Sequence, residues 1–453
     1  MGSGKSGKKI LLIAPPFYRL MGSHYNGLHL GICYIAAFLK QHGHEVKVYN
    51  ADYSGTTEYS NQRQLFENNP LYKATLNDLS HPIWEEIRGK IFDFAPDFIG
   101  ITMMTANYKA ARNIAASIKA IDDNIKIVVG GAHPTLDPRG TSSVEVFDYV
   151  IRGEGEFAFL ELVNEQKEDQ IKGLSFMENH KPIHNENRPF IQNLDILPFP
   201  SRDSFLNDTE YLDFGHVITG RGCPFTCSYC ASPQLWRSTV RYRSISNVLA
   251  ELQYLQTNYN SSLIHFEDDT FTLNKRRAKE ICQEIINRQL GIKWVSETRA
   301  DYLDKELVAL MKEAGCVRIK IGAESGSDRI LNEVQKRVTT EKIRRAVRLT
   351  HDQGLPLTVH LMAGFPGETD EDLRQTIDFA KELNADYYSL SVLAPYYGTE
   401  IWDELEKSGR KQDREHWEYF YHQSQDMILN NDLDPKLLSE FFALNEWGRG
   451  GRV

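Results

Sequence analysis

Three closely spaced cysteines constrain this chain more than any other feature. Cys223, Cys227 and Cys230 follow the spacing C-x3-C-x2-C, within the run Thr-Gly-Arg-Gly-Cys-Pro-Phe-Thr-Cys-Ser-Tyr-Cys. Three thiolates this close together can hold one metal centre, and the motif supplies no fourth ligand. Structural zinc sites are normally closed by four ligands, whereas soft thiolates suit iron–sulfur clusters. The motif therefore favours an iron–sulfur cluster with one open iron, with zinc as the alternative.

Composition limits the classes of protein to which the chain can belong. Its 453 residues favour two or three domains, and a hydrophobic content of 41% suffices for ordinary globular cores. The net charge of −10 argues against nucleic acid as the main partner, because nucleic-acid-binding domains usually present a basic face. No apolar run reaches the roughly 18–20 residues that a transmembrane segment needs. With no export signal evident, the six cysteines favour a reducing, cytoplasmic location.

The first half of the chain alternates between short apolar runs and helical patterns. Residues 1–8 are expected to form a flexible arm or a cloning remnant, and residues 9–179 an α/β domain with a Rossmann-like parallel sheet. Its predicted strands are Lys9–Pro15, Glu45–Tyr49, Asp97–Met103, Lys126–Val129 and Tyr149–Ile151. Ligands of such sheets bind at the carboxyl ends of the strands. The polar segment Ser54–Pro82 is interpreted as an insertion.

The second half predicts a different β/α architecture. Residues 180–213 are polar and marked by prolines, and they predict a linker that wraps between the domains. Residues 214–401 contain six strand–helix units, which predict a partial (β/α)6 barrel of the TIM type with its site at the carboxyl ends of the strands. The predicted strands are His216–Thr219, Leu263–Glu267, Lys293–Glu297, Val317–Ile321, Pro356–Met362 and Tyr387–Val392. Residues 402–453 predict a helical extension that either closes the site or builds an interface.

The cysteine motif, with Tyr229 just before its third cysteine, closely resembles that of the radical S-adenosylmethionine (SAM) superfamily. The resemblance implies that the three cysteines hold a [4Fe–4S] cluster whose fourth iron binds SAM. It further implies SAM contacts from the cysteine loop and from the ends of later barrel strands, at Tyr229, Asp268, Asp269, Arg299, Glu324, Ser325 and Gly364. Simpler roles stay open for some of them, namely a helix cap for Asp269 and an internal salt bridge for Arg299.

The first domain resembles the cobalamin-binding domain that is attached to one large class of radical SAM enzymes. The resemblance is carried by Gly-Gly-Ala-His-Pro-Thr from Gly130 and Arg-Gly-Glu-Gly-Glu from Arg152. It implies corrinoid contacts at Thr102, Thr105, Gly130, Gly131, His133, Pro134, Gly153, Glu154 and Gly155. The motif Asp-x-His-x-x-Gly, which supplies a histidine to cobalt in other B12 domains, is incomplete because Gly22 stands where the aspartate would be. We therefore expect no histidine ligand on cobalt.

The two resemblances together imply an enzyme that reductively cleaves SAM and, with cobalamin, methylates an unactivated carbon of an unknown substrate. The alternatives are a cobalamin-dependent radical cyclase or rearrangement enzyme, a relative whose first domain binds no corrinoid, and a cluster or cobalamin sensor. The implied cofactors are a [4Fe–4S] cluster, SAM and cobalamin. The implied partners are a low-potential electron donor such as ferredoxin or flavodoxin, and a substrate that is a small molecule, a lipid or a protein side chain.

Overall fold

The computed structural model describes residues 7–261, 263–409, 415–422, 424–427 and 433–444. Residues 1–6 of the predicted arm and parts of the predicted C-terminal extension lie outside the described residues. The described chain contains two large sheets, one of seven strands and one of six strands. These two sheets correspond to the two α/β architectures that the sequence predicts.

The first sheet confirms the predicted parallel arrangement. Its strands are β1 (Lys9–Ala14), β2 (Glu45–Asn50), β3 (Phe98–Thr102), β4 (Lys126–Gly130), β5 (Tyr149–Ile151), β6 (Leu174–Glu178) and β7 (Lys181–His184). They lie in the order β2-β1-β3-β4-β5-β6-β7, with β1 to β5 parallel and β6 and β7 antiparallel. Strand β7 extends the sheet past the predicted domain end at residue 179. The reason is a tight turn in which Asn179 and His180 both adopt positive φ, which suits a two-residue hairpin loop.

Helices cover both faces of the first sheet. They are α1 (Leu30–Gln41), α2 (Gln62–Glu67), α3 (Asn69–Asn77), α4 (Pro82–Phe94), α5 (Tyr108–Lys119), α6 (Ala132–Leu136), α7 (Pro138–Ser142) and α8 (Glu156–Val163). Because side chains alternate along a strand, Leu11 and Ile13 of β1 enter the core cluster that contains α4 and α5. Ile10 and Leu12 enter the cluster that contains α1 and α8. Burial on both faces explains why β1 is a continuous apolar run.

The second sheet is the predicted partial barrel. Its elements, with one short ribbon, are β8 (His216–Val217), β9 (Gly220–Arg221), β10 (Arg241–Tyr242), β11 (Leu263–Phe266), β12 (Lys293–Thr298), β13 (Cys316–Glu324), β14 (Leu357–Ala363) and β15 (Tyr387–Val392). Six of these strands are parallel, in the order β15-β14-β13-β12-β11-β8. Strands β9 and β10 pair as a separate antiparallel ribbon around the cysteine loop. This ribbon was not expected from the sequence, because two-residue strands leave no periodic pattern.

The helices of the second half pack on the outside of the partial barrel or follow it. They are α9 (Ser232–Trp236), α10 (Ile245–Tyr259), α11 (Lys275–Asn287), α12 (Lys305–Glu313), α13 (Asp328–Glu333), α14 (Thr340–Asp352), α15 (Asp370–Leu383), α16 (Glu400–Lys407) and α17 (Pro435–Ala443). Their starts follow ordinary capping chemistry; for example, the Thr369 side chain accepts the backbone N–H of Asp372 at the start of α15. Among the helices of the described residues, none has both the length and the apolar character needed to cross a membrane.

The segment predicted as a linker is packed between the domains. The Arg202 side chain is almost fully buried, donates to the carbonyl oxygens of Phe214 and His216, and pairs with Glu251 at 2.8 Å. The backbone N–H of Ser201 donates to the carbonyl of Cys33 in the first domain. These contacts tie the segment to both halves of the chain, so that it holds them in one arrangement.

The predicted insertion and the C-terminal extension also join the two halves. The Gln62 side chain donates to Ser389 Oγ at 3.1 Å and accepts the backbone N–H of Leu390, both on β15. In the extension, the Trp417 ring stacks on Trp402 at 5.4 Å and meets the His133 ring of the first domain edge-on at 4.9 Å. The described part of the extension therefore builds an interface.

Candidate functional site

A cavity of about 330 Å³ lies where the two sheets face each other. Its first wall is formed by α1 and by the carboxyl ends of β1, β3, β4 and β5. Its second wall is formed by β9 and by two residues that follow β11, Glu267 and Asp269. Eight lining residues are glycines, at positions 31, 100, 130, 131, 153, 155, 220 and 222. The strand order reverses between β1 and β3, which is the place where open α/β sheets bind ligands.

A buried salt-bridge network borders this cavity and connects its two walls. Arg221 of β9 donates to Glu154 at 2.6 Å and to Glu156 at 2.8 Å. Arg241 of β10 donates to the other oxygen of Glu154 at 2.7 Å and to the carbonyl of Ile191. The carboxylates belong to the first domain and the guanidinium groups to the ribbon that carries the cysteine loop. The network therefore sets the position of the cysteine loop relative to the first sheet.

Six of the nine predicted corrinoid contacts line the cavity, namely Thr102, Gly130, Gly131, Gly153, Glu154 and Gly155. Thr105, His133 and Pro134 are buried and do not line it. His133 lies 3.2 Å from Thr105 Oγ1 and packs against the rings of Tyr108 and Trp417. Burial lowers its pKa to about 3, so the imidazole is neutral. His133 thus supports the loop from behind through its side chain, and its backbone N–H donates to the carbonyl of Met103 at 3.1 Å.

We predict that Gly131→Ala weakens cobalamin binding. Gly131 has φ of +113°, and a Cβ there would lie 2.9 Å from the carbonyl oxygen of Met103, so that the backbone must shift. Strain of this kind costs on the order of 1–3 kcal/mol, which corresponds to roughly a 5- to 150-fold weaker affinity if it falls on the bound conformation. Titration of the reconstituted protein with cobalamin measures it. Gly89→Ala in α4 is the control, because a Cβ there meets nothing within 4 Å, its φ is not positive and it does not line the cavity; equal losses in both variants would contradict the prediction.

The three cysteines occupy the loop between β9 and α9. All three are free thiols. The backbone N–H of Ser232 donates to Cys230 Sγ at 3.4 Å, and the backbone of Ser228 is held by Val334 and Ile401. Burial raises the pKa of the Cys230 thiol to about 12 and also raises that of Cys223, so that thiolates here require a cationic partner. An iron cluster supplies such a partner.

The spacing of the sulfur atoms separates the cluster from the zinc alternative. Two sulfurs on one tetrahedral zinc lie about 3.8 Å apart, because each Zn–S bond is about 2.3 Å. The three cysteine sulfurs do not all lie within 4.8 Å of one another. Among the described residues, Asp213, His216 and His265 form the one set of three potential ligands that meets this limit. The cysteine loop is therefore spread more widely than a single zinc ion requires, which suits a larger cluster.

The two adjacent carboxylates after β11 have different roles. Asp268 is buried and accepts the backbone N–H of Thr219 at 2.9 Å and its hydroxyl at 2.7 Å. Burial raises its pKa to about 6. Asp269 accepts the hydroxyl of Ser232 at 3.1 Å and lines the cavity. Asp268 therefore fixes the start of the cysteine loop, whereas Asp269 is the better placed of the two to meet a bound cofactor.

The predicted SAM contact Arg299 already has partners within the protein. Its guanidinium donates to both oxygens of Asp301, at 3.1 and 3.2 Å, and to the carbonyl of Lys336. The same guanidinium lies 3.8 Å from the centre of the Phe225 ring, within the cysteine loop. In this geometry Arg299 forms the internal salt bridge that the sequence left open, and it supports the loop by a cation–π contact.

Tyr229 and Glu324 are joined by Lys336, a residue that no sequence motif indicated. Lys336 Nζ lies 2.7 Å from Glu324 Oε1 and donates to the Tyr229 hydroxyl at 3.3 Å. Glu324 has φ of +67°, an uncommon conformation for a residue with a side chain, and it stands at an irregularity in the pairing of β13 with β14. The lysine follows α13 and crosses to this point only in the folded chain, so no local pattern could have identified it.

The last two predicted SAM contacts differ in accessibility. Ser325 is fully buried, and its hydroxyl bonds with Thr376 of α15 and accepts the backbone N–H of Ser327. Gly364 follows β14 with φ of +88°, and a Cβ there would meet nothing within 4 Å, so its surroundings are open. Glu368 accepts the N–H of Gly364 at 2.6 Å. The backbone at Gly364 thus fits the predicted role of meeting a ligand, whereas Ser325 serves the packing of α15.

Comparison with known families agrees with this geometry. The Radical SAM superfamily matches residues 217–380, and the B12 binding domain matches residues 23–163. An uncharacterized methyltransferase of Pyrococcus horikoshii, PH0819, is 36% identical over 407 residues, which cover 87% of this chain and 82% of that protein. The chain belongs to the radical SAM superfamily. Within that superfamily it is a radical SAM protein with an N-terminal B12-binding domain.

Two further relatives extend the comparison. The anaerobic magnesium-protoporphyrin IX monomethyl ester cyclase of Rubrivivax gelatinosus is 29% identical, over 73% of this chain and 62% of that enzyme. The radical SAM methyltransferase TsrM of Kitasatospora setae has the same fold, with a TM-score of 0.70 at 19% identity, over 88% of this chain and 76% of that one. The relatives of this radical SAM protein thus include both methyltransferases and cyclases.

The family assignment accounts for the cavity and the cysteine loop together. A radical SAM domain implies SAM and a [4Fe–4S] cluster, and a B12-binding domain implies cobalamin. The three free cysteines and the wide spacing of their sulfur atoms fit the cluster. The glycine-rich edge of the first sheet fits a large, flat ligand, because glycine lets the backbone approach closely.

Proposed function

We propose that this protein is a cobalamin-dependent radical SAM methyltransferase that acts on an unactivated carbon. The observation that carries the proposal is the cavity, whose walls come from the B12-binding sheet on one side and from the region of the cysteine loop on the other. A methyl donor on the first wall and SAM on the second would face the same space. That arrangement suits a reaction in which both cofactors act on one substrate.

The cofactors, when bound, supply reductive cleavage of SAM and methyl transfer, while the protein positions them. In the proposal Cys223, Cys227 and Cys230 hold the cluster, and Asp268 keeps the loop in place through Thr219. Asp269, Tyr229 and Glu324 contact SAM, together with the open backbone of Gly364. We retain Arg299 and Ser325 as positioning residues, because both already have protein partners.

The corrinoid is proposed to contact the six predicted residues that line the cavity. Thr105, His133 and Pro134 support the same loop from behind. The reaction requires a low-potential electron donor, for which ferredoxin or flavodoxin is proposed, in a reducing, cytoplasmic setting that keeps the six cysteines free. The substrate is proposed to be a small molecule, a lipid or a protein side chain.

The domain boundaries proposed from the sequence are 9–179, 180–213, 214–401 and 402–453.

The proposal is tested on protein that is purified without oxygen and reconstituted with iron, sulfide and cobalamin. We expect visible bands of both the cluster and the corrinoid, formation of 5′-deoxyadenosine from SAM with a reductant, and transfer of a labelled methyl group from SAM to cobalamin. No corrinoid after reconstitution would contradict the methyltransferase proposal. Corrinoid binding without any labelled methylcobalamin would instead favour the cyclase alternative, which the Rubrivivax relative suggests.

A further inference from the structure

A compact cluster of two histidines and one aspartate lies outside the residues assigned above. Asp213 precedes β8, His216 is in β8 and His265 is in the neighbouring β11. One ligand atom from each lies within 4.8 Å of the others. His265 Nε2 is 3.1 Å and His216 Nε2 is 3.6 Å from the same carboxylate oxygen, Asp213 Oδ2. Three converging ligands of this kind match the donor set of transition-metal sites.

Hydrogen bonds around the cluster orient its ligands. The other ring nitrogen of His216, Nδ1, lies 2.8 Å from Glu267 Oε1, so that it donates to this carboxylate. The other oxygen of Asp213, Oδ1, accepts the backbone N–H of Gly215 at 2.9 Å. A carboxylate that binds the far nitrogen of a histidine is the usual outer support of a metal-bound imidazole. His216 Nε2 and Asp213 Oδ2 are thereby directed at each other.

The charges of the cluster call for a cation. With the proton of His216 on Nδ1, its Nε2 carries a lone pair that faces the Asp213 carboxylate, so two acceptors oppose each other. The two imidazole rings are stacked at 4.8 Å with an angle of 11°, so that both direct their Nε2 atoms towards Asp213 Oδ2. The positive charge of Lys320 interacts with the Glu267 carboxylate, but Lys320 forms its ion pair with Glu297, at 3.3 Å. A proton or a metal ion at Nε2 would resolve this opposition.

The backbone of the first domain comes close to the same atom. Gly27 of the first domain pairs with Asp213 in an isolated β-bridge. A Cβ on Gly27 would lie 2.5 Å from Tyr25 Oη and 2.8 Å from His216 Nε2. The Gly27 backbone and the Tyr25 ring therefore border Nε2 on this side.

We propose that Asp213, His216 and His265 bind one divalent transition-metal ion of the Zn²⁺ or Fe²⁺ class. The site is separate from the cysteine loop and joins the barrel to the loop of the first domain at Gly27. It adjoins the cavity, because Glu267, which supports His216, is part of the cavity wall. His216 is 7%, His265 22% and Asp213 43% exposed at the side chain, so that the aspartate gives the ion a path from solvent.

Zinc binding by the reconstituted holoprotein tests this site. After treatment with a chelator, the protein is dialysed against micromolar Zn²⁺, and zinc, iron and sulfide are counted per chain. We expect one zinc in the wild type, and none in Asp213→Asn or His265→Phe. Glu267→Gln should bind zinc roughly 10- to 100-fold more weakly, because it loses the charged outer support. Retention of the corrinoid spectrum shows that each variant is folded. Asp213→Asn should fold like the wild type, because the Asp213 side chain is 43% exposed.

Two controls separate this site from other sources of zinc. A variant with Cys223, Cys227 and Cys230 all replaced by Ala should still bind one zinc, although it cannot form the cluster. His351→Phe should also keep one zinc, because His351 lies 3.8 Å from Asp386 without a third ligand of the described set. If the wild type binds no zinc, or if Asp213→Asn and His265→Phe keep it, the cluster is only a hydrogen-bonded group of Asp213 with the two histidines, and the proposal is overturned.

Discussion

Replacing Cys227 with alanine is expected to abolish SAM cleavage. Cys227 is the most buried of the three motif cysteines, with 8% of its surface exposed, and alanine removes one thiolate from the cluster. A cluster held by only two protein ligands is lost or binds SAM in the wrong place, and the electron for SAM cleavage passes through that cluster. Formation of 5′-deoxyadenosine, measured by liquid chromatography, should fall to the level of the protein-free control. The absorbance of the cluster should fall in parallel.

Cys316→Ala is the matched control for this experiment. Cys316 starts β13, is 4% exposed and donates to the carbonyl of Arg318, far from the loop in sequence. Its replacement should lower stability by the amount typical of a small buried side chain while keeping the cluster and the cleavage activity. If Cys227→Ala retained cleavage, or if Cys316→Ala lost the cluster as well, the assignment of the motif as the cluster ligand set would be wrong.

Replacing Glu154 with alanine is expected to cause a large loss of stability. Glu154 is 8% exposed and is the acceptor for both Arg221 and Arg241 and for the backbone N–H of Ile191. Removal of one partner from a buried ion pair leaves an uncompensated charge and costs about 3–5 kcal/mol. Because the network joins the two walls of the cavity, the same change should weaken cobalamin binding. Urea denaturation of the reconstituted protein measures the first effect and titration with cobalamin the second.

A surface ion pair provides the comparison for Glu154. Arg344 and Glu382 pair at 2.7 Å, with the glutamate 54% exposed. Solvent screens such pairs, so Glu382→Ala should change the free energy of unfolding by no more than about 1 kcal/mol. It should leave cobalamin binding unchanged. A loss in Glu154→Ala as small as that in Glu382→Ala would show that the buried network does not hold the two domains together.

Much of the site could be predicted because its signals are local. The cysteine spacing is contained within eight residues, and the glycine-rich loops directly follow apolar strands. Parallel strands bring their carboxyl ends to one edge, so that Thr102, Gly130 and Glu154 were expected together and do line one cavity. The strand count of the barrel followed from the same periodic patterns.

The side-chain roles that differ from expectation depend on distant partners. Arg299 donates to the carbonyl of Lys336, 37 residues later in the chain, and Asp268 accepts from Thr219, which lies 49 residues earlier. His133 is covered by Trp417 of the C-terminal extension. No spacing rule in the sequence reports such pairings, because a hydrogen bond or ring contact between distant residues depends on the packing of whole elements.

The sequence by itself determined the two α/β architectures, the cluster motif and the set of loops at the strand ends, because each of these is written in short-range periodicity or spacing. Only the tertiary structure decided how the two halves face each other. Arg221 and Arg241 reach Glu154 across the interface, and Gly27 approaches Asp213 and His216 from the other domain. These contacts join residues far apart in the chain, so they arise only once both cores are packed.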